Sequence, residues 1–215
     1  MFTFPSLARK VVFCLKKAAL LSTLFVGIDI GSRSHVVALL DFVSQKPLLR
    51  FEVTNNQPGA VELAQRLKEF LQSRKDLSRL VIALESTSFY GIHIANYLSS
   101  CEVLAPFHTL VYCLNPKVIR NYKKSFIDLG KNDAIDAFVI ADFARANRIT
   151  TQPWRGSQFL ALQRLTRHRL HLAKALTREK AYMLSNIFLK FSEFAMLEPD
   201  EQPFSNSFGA TASSV

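Results

Sequence analysis

The apolar run Leu80-Val81-Ile82-Ala83-Leu84 constrains the fold of this chain more than any other feature. Five apolar residues without polar alternation read as a strand covered on both faces, which requires helices above and below a sheet. The run stops at an acid, Glu85. Phe25-Val26-Gly27-Ile28 has the same character and also stops at an acid, Asp29. Gly31-Ser32-Arg33-Ser34 then turns the chain, so His35 to Asp41 reads as a returning strand and Leu48 to Thr54, after Pro47, as a third. These three form an antiparallel meander.

Helical spacing alternates with the later strands. Gln57-Pro58-Gly59 opens a helix with apolar Val61, Leu63, Leu67, Phe70 and Leu71, and a second helix spans about Tyr90 to Ser99. Leu110 to Leu114 is another short buried strand. Asp133 to Arg145 is a strong helix with Ile135, Val139, Ile140 and Phe143 on its apolar side. A meander followed by alternating helix and strand predicts an α/β mixed five-stranded sheet with flanking helices, in the ribonuclease H-like order. After Pro153-Trp154-Arg155-Gly156 the composition shifts. Residues 157–194 hold no proline or glycine, and apolar residues recur at Leu162, Leu165, Leu172, Leu176, Met183 and Ile187. Those steps suit a long, coiled-coil-like helical arm packing on a partner helix. The expected organisation is a basic apolar extension over residues 1–24, a catalytic-type domain over 25–152, the arm over 157–195 and a Pro/Ser/Ala-rich tail over 196–215.

Charge narrows the partner. Lys and Arg number 27 against 17 Asp and Glu, a net +10 in 215 residues, which favours a polyanion. Only 7 glycines occur, where average usage predicts roughly 15, which argues against glycine-rich phosphate loops. Cys14, Cys101 and Cys113 are odd in number and share no CxxC spacing, so the expectation is buried thiols in a reducing cytoplasm rather than disulfides or zinc. Arg9, Lys10, Lys16 and Lys17 precede an apolar run that resembles a signal peptide, but it lacks an A-x-A-like site and merges into the first strand. No stretch reaches the roughly 18 apolar residues of a membrane span, so no membrane partner is expected.

The chemistry rests on acids. Asp29 and Glu85 stand where two predicted central strands leave the sheet, the place where open α/β sheets hold ligands. Neighbouring strands run about 4.8 Å apart, so two such carboxylates can share one metal. Asp133 and Asp136, three apart on one helix, share a face. If that face crosses the strand ends, four carboxylates converge and repel. Two divalent ions, Mg²⁺ or Mn²⁺, roughly 3.5–4 Å apart, would offset that repulsion, activate a nucleophile and stabilise the leaving oxygen of a phosphodiester. Plainer readings stand beside this one: Asp29 as a turn residue, Glu85 as a helix cap, Asp133 and Asp136 as first-turn acids favouring the helix dipole.

Taken in order, Val26-Gly27-Ile28-Asp29-Ile30-Gly31, Ala83-Leu84-Glu85-Ser86-Thr87, Leu114-Asn115-Pro116 and Lys131-Asn132-Asp133-Ala134-Ile135-Asp136-Ala137 resemble the motifs of the DEDD transposases of the insertion-sequence 110 class. The likeness spans about residues 25–195, and its last motif is the most specific. It implies a RuvC-like N-terminal domain in which Asp29, Glu85, Asp133 and Asp136 are the metal-binding catalytic tetrad. It also implies Mg²⁺-dependent DNA cleavage and strand transfer, a structured guide RNA, and homo-oligomers assembled through the arm. Members of the family continue into a second domain with a serine nucleophile. This chain ends at Val215 before one, so it is expected to be the N-terminal part of a cytoplasmic enzyme.

Basic residues supply a candidate nucleic-acid surface. Lys117, Arg120, Lys123 and Lys124 cluster after Asn115-Pro116 with Tyr122 and Phe126 interleaved, and Arg164, Arg167, Arg169, Lys174 and Arg178 stud the arm. One-sided charge favours phosphate contact, and Tyr122 offers a stacking ring for single strands; a solvated charged face is the bland alternative. Two rival functions remain open at this point. A truncated remnant would bind nucleic acid or full-length copies without catalysis. Gly27-Ile28-Asp29-Ile30-Gly31 also resembles the first phosphate loop of sugar kinases and actin-like ATPases, although no second glycine-rich loop follows.

Overall fold

A computed structural model describes residues 18–86, 89–126 and 133–193, with the backbone alone at Asp133 and Ala134. Residues 1–17 of the basic extension, Thr87, Lys131-Asn132, the Asp133 side chain and the tail from residue 194 lie outside the described residues. The chain divides into two compact units, Met1–Ser157 and Gln158–Val215.

The first unit is built on a five-stranded sheet of order β3-β2-β1-β4-β5. Its strands are β1 (Thr23–Ile30), β2 (Ser34–Leu40), β3 (Leu49–Thr54), β4 (Arg79–Glu85) and β5 (Leu110–Leu114). β1 pairs antiparallel with β2, and β2 with β3. β4 runs parallel to both β1 and β5. This is the ribonuclease H-like arrangement that the strand order predicts. β1 starts two residues before the apolar motif, because the Thr23 hydroxyl bonds back to the Ala19 carbonyl at 2.6 Å and joins the strand to the preceding helical turn.

Helices cover both faces of the sheet, as the two-sided apolar strands require. On one face Leu24, Val26, Ile28, Leu80, Ile82 and Leu84 pack with α1 (Gln57–Ser73) and α2 (Ile92–Ser100). Asn56 caps α1 by accepting the Gly59 amide at 2.9 Å, and Pro58 fills the first turn, where no amide partner is needed. Leu63, Leu67 and Leu71 turn inward as the spacing predicts, but Val61 faces out, 47% exposed.

On the other face Phe25 and Ala83 pack with α3 (Pro116–Lys123) and α4 (Asp133–Arg145). Val139, Ile140 and Phe143 are buried as expected, and so are Ala137, Ala141 and Ala144. That alanine stripe lets α4 lie directly on β1. A Cβ built at Gly27 would stand 2.1 Å from the Ala137 carbonyl oxygen and 2.4 Å from the Ala141 amide nitrogen. Only a residue without a side chain permits that approach. α3 itself went unforeseen in the sequence: Asn115 caps it on the Lys117 amide at 2.9 Å, but eight residues are too few for a periodic signal.

The second unit carries α5 (Ser157–Lys190), a single 34-residue helix with no buried residue. Leu162, Leu165, Leu172 and Leu176 are each more than half exposed. Among the described residues no helix is long and apolar enough to cross a membrane.

Candidate active site at the strand ends

Side chains alternate along a strand, so the face of each residue follows from its neighbours. Val26 and Ile28 belong to the α1/α2 core, whereas Phe25 belongs to the α3/α4 core and Gly27 abuts α4. Asp29 therefore points to the α4 face. The same count along β4, with Ile82 and Leu84 in one core and Ala83 in the other, puts Glu85 on the α4 face too. β1 and β4 are in parallel register at Ile28 and Leu84. One residue further, Asp29 comes level with Glu85 on the adjacent strand, both half-buried.

α4 runs antiparallel to β1: Ala137 meets Gly27 near the acid end, while Ala144 and Thr23 line a common hollow at the other. Its N-terminal turn thus lies over the end of β1 that carries Asp29. Asp133 opens that turn, one helical turn before Ala137, and Asp136 directly precedes Ala137. Three acids of the sequence-derived tetrad are thereby described with side chains, and the backbone of the fourth is in place.

Asp136 is engaged. Lys123, at the last turn of α3, donates its ammonium to Asp136 Oδ1, with both side chains partly buried. The sequence reading assigned Lys123 to a phosphate; the structure shows its ammonium paired with Asp136. No periodicity links residues thirteen apart in different helices, so that pairing had no signal. Among the described residues no three His, Cys, Asp or Glu side chains form a metal-holding group. The donor set nonetheless fits a hard divalent cation: Asp29 and Glu85 offer carboxylate oxygens at adjacent positions, and Asp136 already balances a positive charge.

Tyr122 is a correction to the sequence reading, because its ring is not available for stacking on bases. Its hydroxyl donates to Asp142 Oδ2 at 2.6 Å, and its ring packs edge-on against Phe126 and Phe143. Arg148 lies over the ring at 5.3 Å, and Arg145 holds the other Asp142 oxygen at 2.6 and 2.8 Å. This network fixes α3 on α4 and so sets where Lys123 stands. Burial, and then the Asp142 carboxylate, push the Tyr122 hydroxyl up from 10 to about 12. A raised value means stability present below pH 10 that is lost as pH climbs toward 12. Urea midpoints are therefore expected to fall more steeply between pH 10 and 12 in the parent than in Tyr122→Phe. Parallel curves would contradict the buried hydrogen bond.

The remaining basic candidates are exposed. Lys117, Arg120 and Lys124 stand on or beside α3, and Arg164, Arg167, Arg169, Lys174 and Arg178 on α5. The two groups sit in different units of the chain.

Comparison with known proteins gives the chain's family. No curated protein matches the chain. Among solved structures, RuvC of Thermus thermophilus in complex with a Holliday junction substrate aligns at 14% identity, over 61% of this chain and 99% of that one, with a TM-score of 0.42. A Fowlpox virus resolvase with Holliday junction DNA aligns at 16% identity over 57% and 98%, with a TM-score of 0.34. A family model described as a transposase matches residues 26–190, which contain both strand-end acids, the α4 pair and all of α5. With that match over most of its length, the chain belongs to the DEDD transposase family of the insertion-sequence 110 class.

Proposed function

We propose that this chain supplies the nuclease centre of a DNA recombinase, cutting and transferring phosphodiesters at the β1–β4 strand ends. The observation that carries the reading is the level placement of Asp29 and Glu85 on one sheet face, beneath the turn that Asp133 opens. Asp29, Glu85, Asp133 and Asp136 would hold Mg²⁺ or Mn²⁺, which activates an oxygen nucleophile and stabilises the leaving oxygen. The chain's own part is positioning. β1 and β4 fix two carboxylates through ladder hydrogen bonds, and the Gly27 contact fixes the height of α4 above them. Lys123 holds Asp136, and were that carboxylate to bind a cation, the released ammonium would be placed to contact a phosphate.

The partner in this reading is DNA, with a structured guide RNA and a serine-bearing domain completing the reaction. Lys117, Arg120 and Lys124 would contact phosphates near the centre, and the cations of α5 would contact them elsewhere. The exposed Leu162, Leu165, Leu172 and Leu176 would pair the arm with a second copy. A reducing cytoplasm suits the half-buried thiols Cys101 and Cys113.

Salt dependence tests the partner. Affinity for duplex or branched DNA is expected to fall by about a thousandfold or more between 50 and 200 mM salt, if six or more phosphates are neutralised. Lys117→Ala combined with Arg120→Ala should flatten the slope by roughly two phosphate contacts. A flat response in the parent would overturn the basic-surface assignment.

A further inference from the structure

We infer that α5 pairs with α5 of a second copy in the antiparallel direction, with Arg169 of each helix set against Glu179 of the other. The inference rests on the arm-pairing reading above and adds the direction and register which that reading leaves open. Steps of three and four residues, the spacing of one coiled-coil seam, run from Leu162 through Leu165, Arg169, Leu172, Leu176 and Glu179 to Met183. The four leucines and Met183 are each at least 40% exposed. An apolar stripe of that length and period is the mark of a helix that packs on another helix.

The two charged positions in the seam decide what the partner is. Glu179 is the sole acid of the helix, yet it stands in the seam rather than on the solvent side. Arg164, Arg167, Lys174 and Arg178 fall on the side of the helix away from the seam, at 100° of turn per residue. Arg169 alone among the five candidate cations of α5 stands in the seam itself. It therefore leaves the group offered to phosphate, while the other four keep an outer face that nucleic acid can reach in the pair.

Arg169 and Glu179 lie at equal distances before and after Lys174. A two-fold axis at that level sets Arg169 against Glu179 twice, Leu172 against Leu176 and Leu165 against Met183. Every seam position from Leu165 to Met183 thus meets a fitting partner. A parallel pair in register would stack Arg169 on Arg169 and Glu179 on Glu179, like charge on like charge where the helices run closest. Sliding the antiparallel pair by one heptad either way puts Glu179 against Leu176 or Leu162, a carboxylate desolvated without a counter-charge. Charged seam positions fix register and direction in coiled coils at some cost in stability, and these two do so for one arrangement. Because the pattern complements itself about a two-fold axis, the partner is another copy of this chain. Antiparallel pairing carries the N-terminal ends of the two 34-residue helices to opposite ends of the coil, about 50 Å apart. The two nuclease centres are then joined to opposite ends of the coil rather than to the same end.

Distances between spin labels on the full chain test the direction. A nitroxide amino acid replaces Gln163, which is exposed and outside the seam, and double electron–electron resonance reads its separation from its twin. Antiparallel pairing is expected to give about 35–40 Å, and a parallel pair about 20 Å, one coil width. Sedimentation equilibrium tests the charge pair. Arg169→Glu should weaken the dimer by about tenfold or more, and adding Glu179→Arg should restore it. Both positions are exposed on the helix, so the variants keep the fold. A short label distance within a dimer would overturn the antiparallel assignment and leave arm pairing standing. A dimer indifferent to Arg169→Glu would likewise sink the inference, since nothing would then select this register. A chain that stays monomeric up to millimolar concentration would refute the inference and the arm-pairing reading together.

Discussion

Gly27→Ala is expected to cost about 3 kcal/mol or more of folding stability, the upper range for forcing atoms into a packed core. The added methyl would meet the Ala137 carbonyl oxygen at 2.1 Å and the Ala141 amide nitrogen at 2.4 Å. Both are backbone atoms, so no rotamer change relieves the contact, and α4 must rise from the sheet along its alanine stripe. That movement also carries the first turn of α4 away from Asp29. Gly91→Ala is the matched control. Its Cβ would meet side-chain carbons of Ile30 and Leu84 at 3.3 and 3.4 Å, and a small adjustment of those chains suffices. Chemical denaturation of both variants decides the matter. Equal midpoints for Gly27→Ala and the parent would mean that α4 does not lie on β1 in solution.

The second large effect is on cation binding. Asp29→Asn is expected to weaken Mn²⁺ on the order of a hundredfold, because a charged oxygen donor is lost from a site with few ligands. Its amide keeps the shape and leaves the fold in place. Lys123→Met should act in the opposite direction, since the ammonium on Asp136 competes with the incoming ion. Electron paramagnetic resonance of free Mn²⁺ reads both without any catalytic assay. Weakening by both variants would show that Lys123 supports the site rather than competing for it. An unchanged affinity in Asp29→Asn would remove the strand-end acids from the metal site.

Strand-end acids were legible because their signal is local. An apolar run closed by a carboxylate states both burial and exit from the sheet, and at Asp29 and Glu85 the register then brings the two level. The strands and long helices were readable for the same reason, since each repeats its period several times. Features that depend on contacts between distant segments left no such trace. Val61 fits the apolar spacing of α1 yet faces solvent, because it lies two residues, roughly 200° around the helix, from the inward Leu63. Tyr122 and Lys123 look like members of a basic, aromatic nucleic-acid surface, but α4 supplies Asp142 and Asp136 to take them. Gly27 sits in a motif where any small residue preserves the apolar pattern, and only the approach of α4 shows why it is glycine.

The ion pair between Lys123 and Asp136 has a consequence for biosynthesis. In the reading proposed above, carboxylates gathered for a metal would repel one another as the sheet closes, and a protein that relied on ions alone to offset this would mature only as fast as they arrived. Here an internal ammonium neutralises one acid from the start. In that reading, nascent chains would finish folding before any cation arrives, and cation supply would govern when the centre becomes active rather than whether the domain folds.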